Sequence, residues 1–250
     1  MRRSPDTGTA IRAAAVATVV LSAAALVAGC GWDPTQPKRL TAPCGVVVDG
    51  SASGARLNVK QLLDGHIDDF LFDNKCRRVA FAPITAASEQ SQCNKPEVDI
   101  DPDDLPAGAD RDATRTDGRN QAKKAAQDML TCAQQDQNAG SDVVGGLRRV
   151  VNERPKDQGI YRVLVLSDFA QNDRTMNLYR ENLADRGRRA ELIRKLSSMQ
   201  RIPDLSGVRL TIYGFAIKIS NRPDKRGPFE TFWTELITGP AKGAKPTFTN

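Results

Sequence analysis

The sequence predicts an α/β fold with a single doubly wound, mostly parallel sheet and helices on both of its faces. Short apolar runs alternate with segments whose apolar residues recur at helical spacing, as in a layered α/β domain. The runs are apolar almost throughout, as expected of strands buried on both faces. The chain has 250 residues, of which 40% are hydrophobic and 26% charged, which excludes a disordered chain and a multispan membrane protein.

Strands and helices are predicted in alternation along the chain. The predicted strands are Gly45–Asp49, Arg78–Pro83, Val98–Ile100 at an edge, Tyr161–Leu166 and Val208–Tyr213. The predicted helices carry apolar faces at Val59–Phe70, Ala122–Ala133, Val143–Val151, Leu192–Met199 and Phe229–Leu236. A polar, acidic excursion is expected over residues 88–118. Because there is no repeat and no second core, we expect one domain over residues 44–240 and a C-terminal tail at 241–250.

The first thirty residues have the features of an export signal. Arg2 and its basic neighbours precede the apolar run Ala13–Val27, which is shorter than the ~18–20 residues that a membrane-spanning helix needs. The four residues ending at Cys30 (Val-Ala-Gly-Cys) resemble the lipobox of bacterial lipoproteins. That resemblance implies a cleaved signal at 1–29 and a lipidated Cys30. A tether is expected over 30–43, because this segment holds three prolines and no periodicity. The mature chain would then be lipid-anchored on the extracytoplasmic face of the cell membrane. An uncleaved anchor helix is the alternative.

The remaining four cysteines agree with export, because an even number in an oxidising compartment indicates disulfides. Three pairings are possible. We expect Cys44–Cys76, because both residues precede strands that should be adjacent in the sheet, and Cys93–Cys132 then follows by elimination.

Composition and motifs argue against several classes of function. The net charge of +6 is spread along the chain, so no nucleic-acid partner is expected. The single histidine, His66, excludes a multi-histidine zinc site and is expected at the edge of the core, bonded to backbone. Neither a G-x-S-x-G nucleophile elbow nor a G-x-G-x-x-G loop is present. The acidic run Asp99–Asp104 is expected to be a solvated loop rather than a calcium loop, and the protein is not expected to be an enzyme.

Three separated segments place oxygen-bearing side chains at predicted strand ends or helix starts. Asp49, Ser51 and Ser53 follow the first strand at a spacing of two, which puts them on one side of an extended turn. Ser141 opens a helix, where serine is commonly an N-cap, and Asp168 ends the strongest strand. Ligands of open α/β sheets bind beyond the carboxyl ends of the strands, and carboxylate and hydroxyl oxygens suit a hard cation.

These segments resemble the von Willebrand factor type A domain and its metal-ion-dependent adhesion site. Its Asp-x-Ser-x-Ser motif matches Asp49, Ser51 and Ser53. Its helix-opening Thr, followed by a small residue and a Leu, matches Ser141, Gly146 and Leu147, with Ser in place of Thr. Its strand-ending Asp matches Asp168, although Phe169 stands where glycine is usual. The resemblance covers about Cys44 to Pro240.

The resemblance implies a binding or adhesion module. In that family the hydroxyls bind the ion directly and the aspartates largely through water, so the ion stays electrophilic and accepts a carboxylate from an Asp or Glu of a partner protein. Mg²⁺ is the expected ion, with Mn²⁺ or Ca²⁺ as alternatives. Two other interpretations remain open. One is a degenerate type A domain that acts as a metal-free scaffold, and the other is a tethered enzyme subunit of the cell envelope.

Overall fold

A computed structural model describes residues 38–51, 57–136, 140–157 and 159–249. The predicted signal, Cys30 and most of the predicted tether lie outside these residues. Apart from Lys38, the described residues belong to one compact unit that begins at Arg39. Within them, no helix combines the length and the apolar character needed to cross a bilayer.

The protein is α/β, with a mostly parallel six-stranded sheet. The strands are β1 (Ala42–Asp49), β2 (Cys76–Ile84), β3 (Val98–Asp99), β4 (Tyr161–Leu166), β5 (Val208–Tyr213) and β6 (Thr247–Thr249), in the order β3-β2-β1-β4-β5-β6 with β3 antiparallel. The helices are α1 (Val59–Asp73), α2 (Arg111–Gln134), α3 (Val143–Asn152), α4 (Arg186–Ser198) and α5 (Pro223–Thr238), and short 3₁₀ turns lie at Ser88–Gln90, Leu178–Arg180 and Ile217–Ile219.

The two faces of the sheet bury separate apolar clusters, because successive side chains of a strand point to opposite faces. Val46 and Val48 of β1 pack with α1 and α2 on one face. Val47 packs with α3, α4 and α5 on the other face, where Trp233 is among the largest fully buried side chains. The continuous apolar runs of β1 and β4 therefore follow from burial on both sides.

The structure extends the predicted domain at both ends. The predicted tether reached residue 43, but β1 already begins at Ala42. The predicted tail contains β6, which pairs in parallel with β5, and Ala241 in that segment is fully buried.

Helix α2 begins well before its apolar face, inside the predicted polar excursion. Asp110 caps it by accepting hydrogen bonds from the backbone N–H groups of Asp112 and Ala113. Gly118 lets this polar half approach β3 closely, since a Cβ there would lie 2.7 Å from the Cα of Ile100. The acidic run is a solvated loop only in part, since Asp103 and Asp104 are exposed. Asp101 is fully buried and pairs with arginines of α2.

Both predicted disulfides are present. Cys44 and Cys76 lie inside β1 and β2, rather than before them as predicted, with their Cα atoms 5.6 Å apart. Cys93 and Cys132 join the loop after β2 to α2. The buried guanidinium of Arg149 also holds this loop, because it donates hydrogen bonds to three of the loop's carbonyl oxygens, those of Ser88, Ser91 and Cys93.

Candidate functional site

The two predicted aspartates lie at the carboxyl ends of adjacent strands. β1 and β4 are parallel neighbours with Val48 opposite Leu166, so Asp49 ends β1 beside the residues that follow β4. From β1 the chain proceeds to β2 on one side and from β4 to β5 on the other, so the strand order reverses between them. Such a reversal creates a crevice at the strand ends, which is where open α/β sheets bind ligands. Asp49 and Asp168 are both fully buried there.

The carboxylate of Asp49 is held by two serine hydroxyls, one on each oxygen. Ser51 Oγ donates to Asp49 Oδ1 at 2.5 Å, and the Ser51 backbone N–H donates to the same oxygen at 3.0 Å. Ser167 Oγ donates to Asp49 Oδ2 at 2.6 Å and accepts from the N–H of Phe169. Since a hydroxyl that donates its proton keeps lone pairs, Ser51 Oγ can still serve as a ligand. Sequence reasoning did not assign Ser167 a role, although a serine directly before a strand-ending aspartate was visible.

Burial raises the pKa of Asp49 to about 7, and the nearby negative charge of Asp168 adds to the increase. The hydrogen bonds from Ser167 and Ser51 act in the opposite direction but do not cancel it. Such repulsion is expected of two buried carboxylates at the ends of adjacent strands. A cation between them would relieve both the repulsion and the cost of burial.

The local geometry of Asp49 and Ser51 is not special by itself. Asp204 Oδ1 accepts from the N–H and the hydroxyl of Ser206 at 3.0 and 2.6 Å, which is the same arrangement at an exposed turn. Asp173 and Thr175 repeat it again. An Asp-x-Ser or Asp-x-Thr turn is therefore common in this chain. What distinguishes Asp49 is complete burial, Ser167 and a second buried aspartate.

Ser141 is not the N-cap of α3. Asp142 has that role, because its Oδ1 accepts from the N–H of Gly145 at 3.0 Å. Ser141 is fixed by backbone hydrogen bonds with Asn172, and the N–H of Asp142 donates to the carbonyl of Thr85, just beyond β2. Ser141 Oγ is buried and has no hydrogen-bond partner among the described residues. Because buried hydroxyls are normally satisfied, this oxygen is well suited to a ligand.

The members of the predicted donor set that the structure describes carry carboxylate and hydroxyl oxygens, which suit a hard cation. Asp49 and Ser51 are hydrogen-bonded to each other, and Asp168 follows the neighbouring strand. Ser141 lies at the same end of the sheet, beside the residue that follows β2, while Ser53 lies outside the described residues. No group of three or more His, Cys, Asp or Glu side chains in the described part of the chain could hold a metal ion. The predicted set is of another kind, since its two carboxylates are supplemented by neutral hydroxyls. Neutral and anionic oxygens are what Mg²⁺ prefers.

Phe169 occupies the glycine position of the third motif without changing the backbone conformation that glycine favours. Its φ is 60°, in the left-handed region. The ring is fully buried and packs edge-on against Trp233, with the ring centroids 4.8 Å apart, and against Phe215 at 5.6 Å. This aromatic packing offsets a backbone strain of about 1–3 kcal/mol.

Two residues that the sequence did not indicate, Lys218 and Tyr179, also lie near Asp168. Lys218 Nζ lies 3.2 Å from Asp168 Oδ2. The ring of Tyr179 lies 5.9 Å from the same ammonium, and the Tyr179 hydroxyl is buried with no hydrogen-bond partner in the described chain. Burial, then the charges of Asp168 and Asp49, raise the pKa of Tyr179 well above its usual value. No motif signals Lys218, because it reaches the site from a different loop.

The other polar groups near Ser141 form a closed network. Arg201 pairs with both Asp142 and Asp173, and the buried amide of Gln171 bridges the same two carboxylates. Both acids therefore have hydrogen-bond donors, and they share the charge of one guanidinium. His66 stacks on Tyr213, with ring centroids 3.8 Å apart, at the edge of the core where it was expected.

A cavity of about 350 Å³ lies beside the site, between the Leu178–Arg180 turn and α5. Tyr179 and Phe229 line it, whereas the two aspartates do not.

No protein-family model matches this chain, and no curated protein matches it either. Among solved structures, a mutant of the PilB minor pilin from Streptococcus sanguinis is similar, with a TM-score of 0.49 and 12% sequence identity over 86% of this chain. This chain spans 58% of that one. A similarity at this level has no bearing on the fold or the function of the present protein.

Proposed function

We propose that the protein is a lipid-anchored, extracytoplasmic binding module of the von Willebrand factor type A kind. In this proposal Asp49, Ser51, Ser53, Ser141 and Asp168 hold one divalent cation, Mg²⁺ before Mn²⁺ or Ca²⁺. The cation then accepts a carboxylate from an Asp or Glu of a partner protein. The doubly wound, Rossmann-like topology of that family is part of the proposal.

The observation that carries the proposal is the pair of fully buried aspartates, Asp49 and Asp168, at adjacent strand ends. Two neighbouring buried carboxylates are costly, and a protein retains such a pair where a cation or a proton is to be bound. The buried, unpaired hydroxyl of Ser141 adds a neutral donor at the same end of the sheet. Neutral donors do not offset the positive charge of a divalent ion, and the remaining charge favours an anionic ligand from outside the chain.

The anchoring part of the proposal rests on the sequence around Cys30 and on the two disulfides. Two acyl chains hold a protein at a membrane where one does not, because each buried methylene adds about 0.8 kcal/mol. Metabolic labelling with an alkyne fatty acid tests it. The full chain should take up label, and Cys30→Ala should not.

A metal-free scaffold is the second candidate, and one observation favours it. Lys218 already supplies a positive charge to Asp168. If the ammonium replaced the ion permanently, the fold would persist without metal affinity.

Calorimetric titration with Mg²⁺ and Mn²⁺ distinguishes these candidates. The unaltered protein should bind one ion, and Asp49→Ala should bind none. Asp204→Ala is the matched control, because it removes the same type of Asp-x-Ser turn at an exposed position and should leave binding unchanged. An absence of binding in the unaltered protein, or equal binding in the Asp49 variant, would rule out the metal site. Cross-linking from intact cells with and without chelator then identifies a partner held through the ion.

A further inference from the structure

Lys218 is the one described cation that contacts the proposed metal site. It lies in the 3₁₀ turn Ile217–Ile219 after β5, and its Nζ is 3.2 Å from Asp168 Oδ2. The carboxylate of Asp168 is fully buried, whereas the lysine side chain is 26% exposed. The ammonium thus enters from the solvent side and ends at a buried anion, beside the ring of Tyr179.

The backbone delivers the lysine to this position. The N–H of Ala216 donates to the carbonyl of Asp168 at 3.1 Å, which ties the loop after β5 to the loop after β4. Ala216 adopts a left-handed φ of 54°, a conformation that costs free energy for a residue with a Cβ. Because Ala216 is fully buried and held in this way, the fold keeps the backbone of Lys218 close to Asp168, within reach of the lysine side chain.

The same contact opposes the binding of a divalent ion. A cation drawn to Asp168 would meet the ammonium within a few ångströms, and like charges at that distance repel strongly where water is largely excluded. Both cations also compete for the charge of one carboxylate. The ion therefore gains access only when the lysine side chain moves outward, which its partial exposure permits.

We propose that Lys218 is a tethered counter-cation of Asp168 that competes with the divalent ion and weakens its binding. This inference rests on the proposed metal function and specifies what controls the affinity of the site. In the metal-free protein the lysine balances the buried carboxylate, and metal binding releases the ammonium to solvent.

Two measurements test the competition. The first is calorimetric titration of Lys218→Met with Mg²⁺. Its dissociation constant should be about tenfold lower than that of the unaltered protein, a change equivalent to about 1.4 kcal/mol. Lys218→Arg keeps the charge and should bind no more tightly than the unaltered protein. Lys225→Met removes an exposed lysine of α5 and is the matched control, with unchanged affinity.

The second measurement needs no variant. The unaltered protein is acetylated briefly with and without saturating Mg²⁺, and modification of each lysine is read by mass spectrometry. Modification of Lys218 should rise several-fold with Mg²⁺, while that of Lys225 should not change. This readout also serves if Lys218→Met folds poorly.

The outcomes separate this inference from the proposed function. Metal binding that is equal or weaker in Lys218→Met, together with unchanged acetylation of Lys218, overturns the competition and leaves the metal site intact. Binding by Lys218→Met alone rules out a metal function of the unaltered protein, but it supports the competition in its strongest form, in which the lysine blocks the site. If neither the unaltered protein nor Lys218→Met binds an ion, the metal function and this inference both fail.

Discussion

The substitution Asp49→Asn should stabilise the metal-free protein at neutral and alkaline pH while abolishing metal binding. The folded-state pKa of Asp49 is raised from 3.8 to about 7, by burial and then by the charge of Asp168. The folded protein therefore keeps a proton, from about pH 4 to about pH 7, that the unfolded chain has released. This raised pKa contributes stability that is fully present below about pH 4 and is lost as the pH rises through 7.

The magnitude follows from the difference of about three pH units, which corresponds to on the order of 4 kcal/mol in the free energy of unfolding. Asparagine carries no charge and avoids that loss. Its amide nitrogen, however, must find an acceptor where Ser51 and Ser167 now donate, at a cost of about 1–3 kcal/mol. The net gain for Asp49→Asn at pH 8 should be about 1–3 kcal/mol.

Urea unfolding with EDTA, followed by tryptophan fluorescence at pH 5 and pH 8, measures this effect. The advantage of Asp49→Asn over the unaltered protein should grow between the two pH values. Saturating Mg²⁺ should then reverse the order, because an ion at a thousand times its dissociation constant stabilises the unaltered protein by about 4.1 kcal/mol, more than this advantage. If Asp49→Asn is less stable at pH 8 in EDTA, or if both proteins have the same pH dependence, the assigned electrostatics of the site is wrong.

Three further predictions concern the surroundings of the site. Ser141→Ala should lower the affinity for Mg²⁺ but change the free energy of unfolding by less than about 1 kcal/mol, because the hydroxyl has no partner in the described chain. A larger loss of stability in urea unfolding would indicate a structural role for this hydroxyl. Phe169→Gly should lower the free energy of unfolding by about 2–4 kcal/mol in the same assay, because the burial of the ring contributes more than the backbone strain that glycine relieves. Phe72→Ala is the control, since that ring is 69% exposed and its removal should lower the free energy of unfolding by less than about 1 kcal/mol. Removing the Cys93–Cys132 bridge by Cys132→Ala should cost about 2–5 kcal/mol, and a thermal melt unchanged by this substitution would contradict that expectation.

Sequence patterns located the buried elements of the fold well. Strand β4 begins and ends where its apolar run does, because both faces of that strand are covered and every residue must be apolar or paired. The first half of α2 was missed for the opposite reason. Its residues carry no apolar stripe, and ion pairs to Asp101 together with the close approach at Gly118 hold it in place. β6 was missed because three residues at a sheet edge have too little pattern to be recognised.

The positions of candidate site residues were predictable where these residues follow directly on strands. Asp49 and Asp168 could be found because parallel strands bring their carboxyl ends to one side of the sheet. Ser167 and Lys218 could not be identified as partners, since their roles depend on which loops meet above the strands. The Cα positions of distant loops are set by tertiary packing, such as the hydrogen bond from Ala216 to Asp168, and no local spacing encodes them.

The topology bears on how the negative charges of Asp49 and Asp168 are balanced. β1 leads to α1 on one face of the sheet, whereas β4 leads to α4 on the other face, so the connections diverge above the two strands. Both Asp49 and Asp168 are nevertheless fully buried. Among the described residues, the cationic contact to Asp168 comes from Lys218. One ammonium cannot balance two buried carboxylates when both are ionised. In the proposed function a divalent ion supplies the remainder, and below the raised pKa of Asp49 a proton on that carboxylate does so.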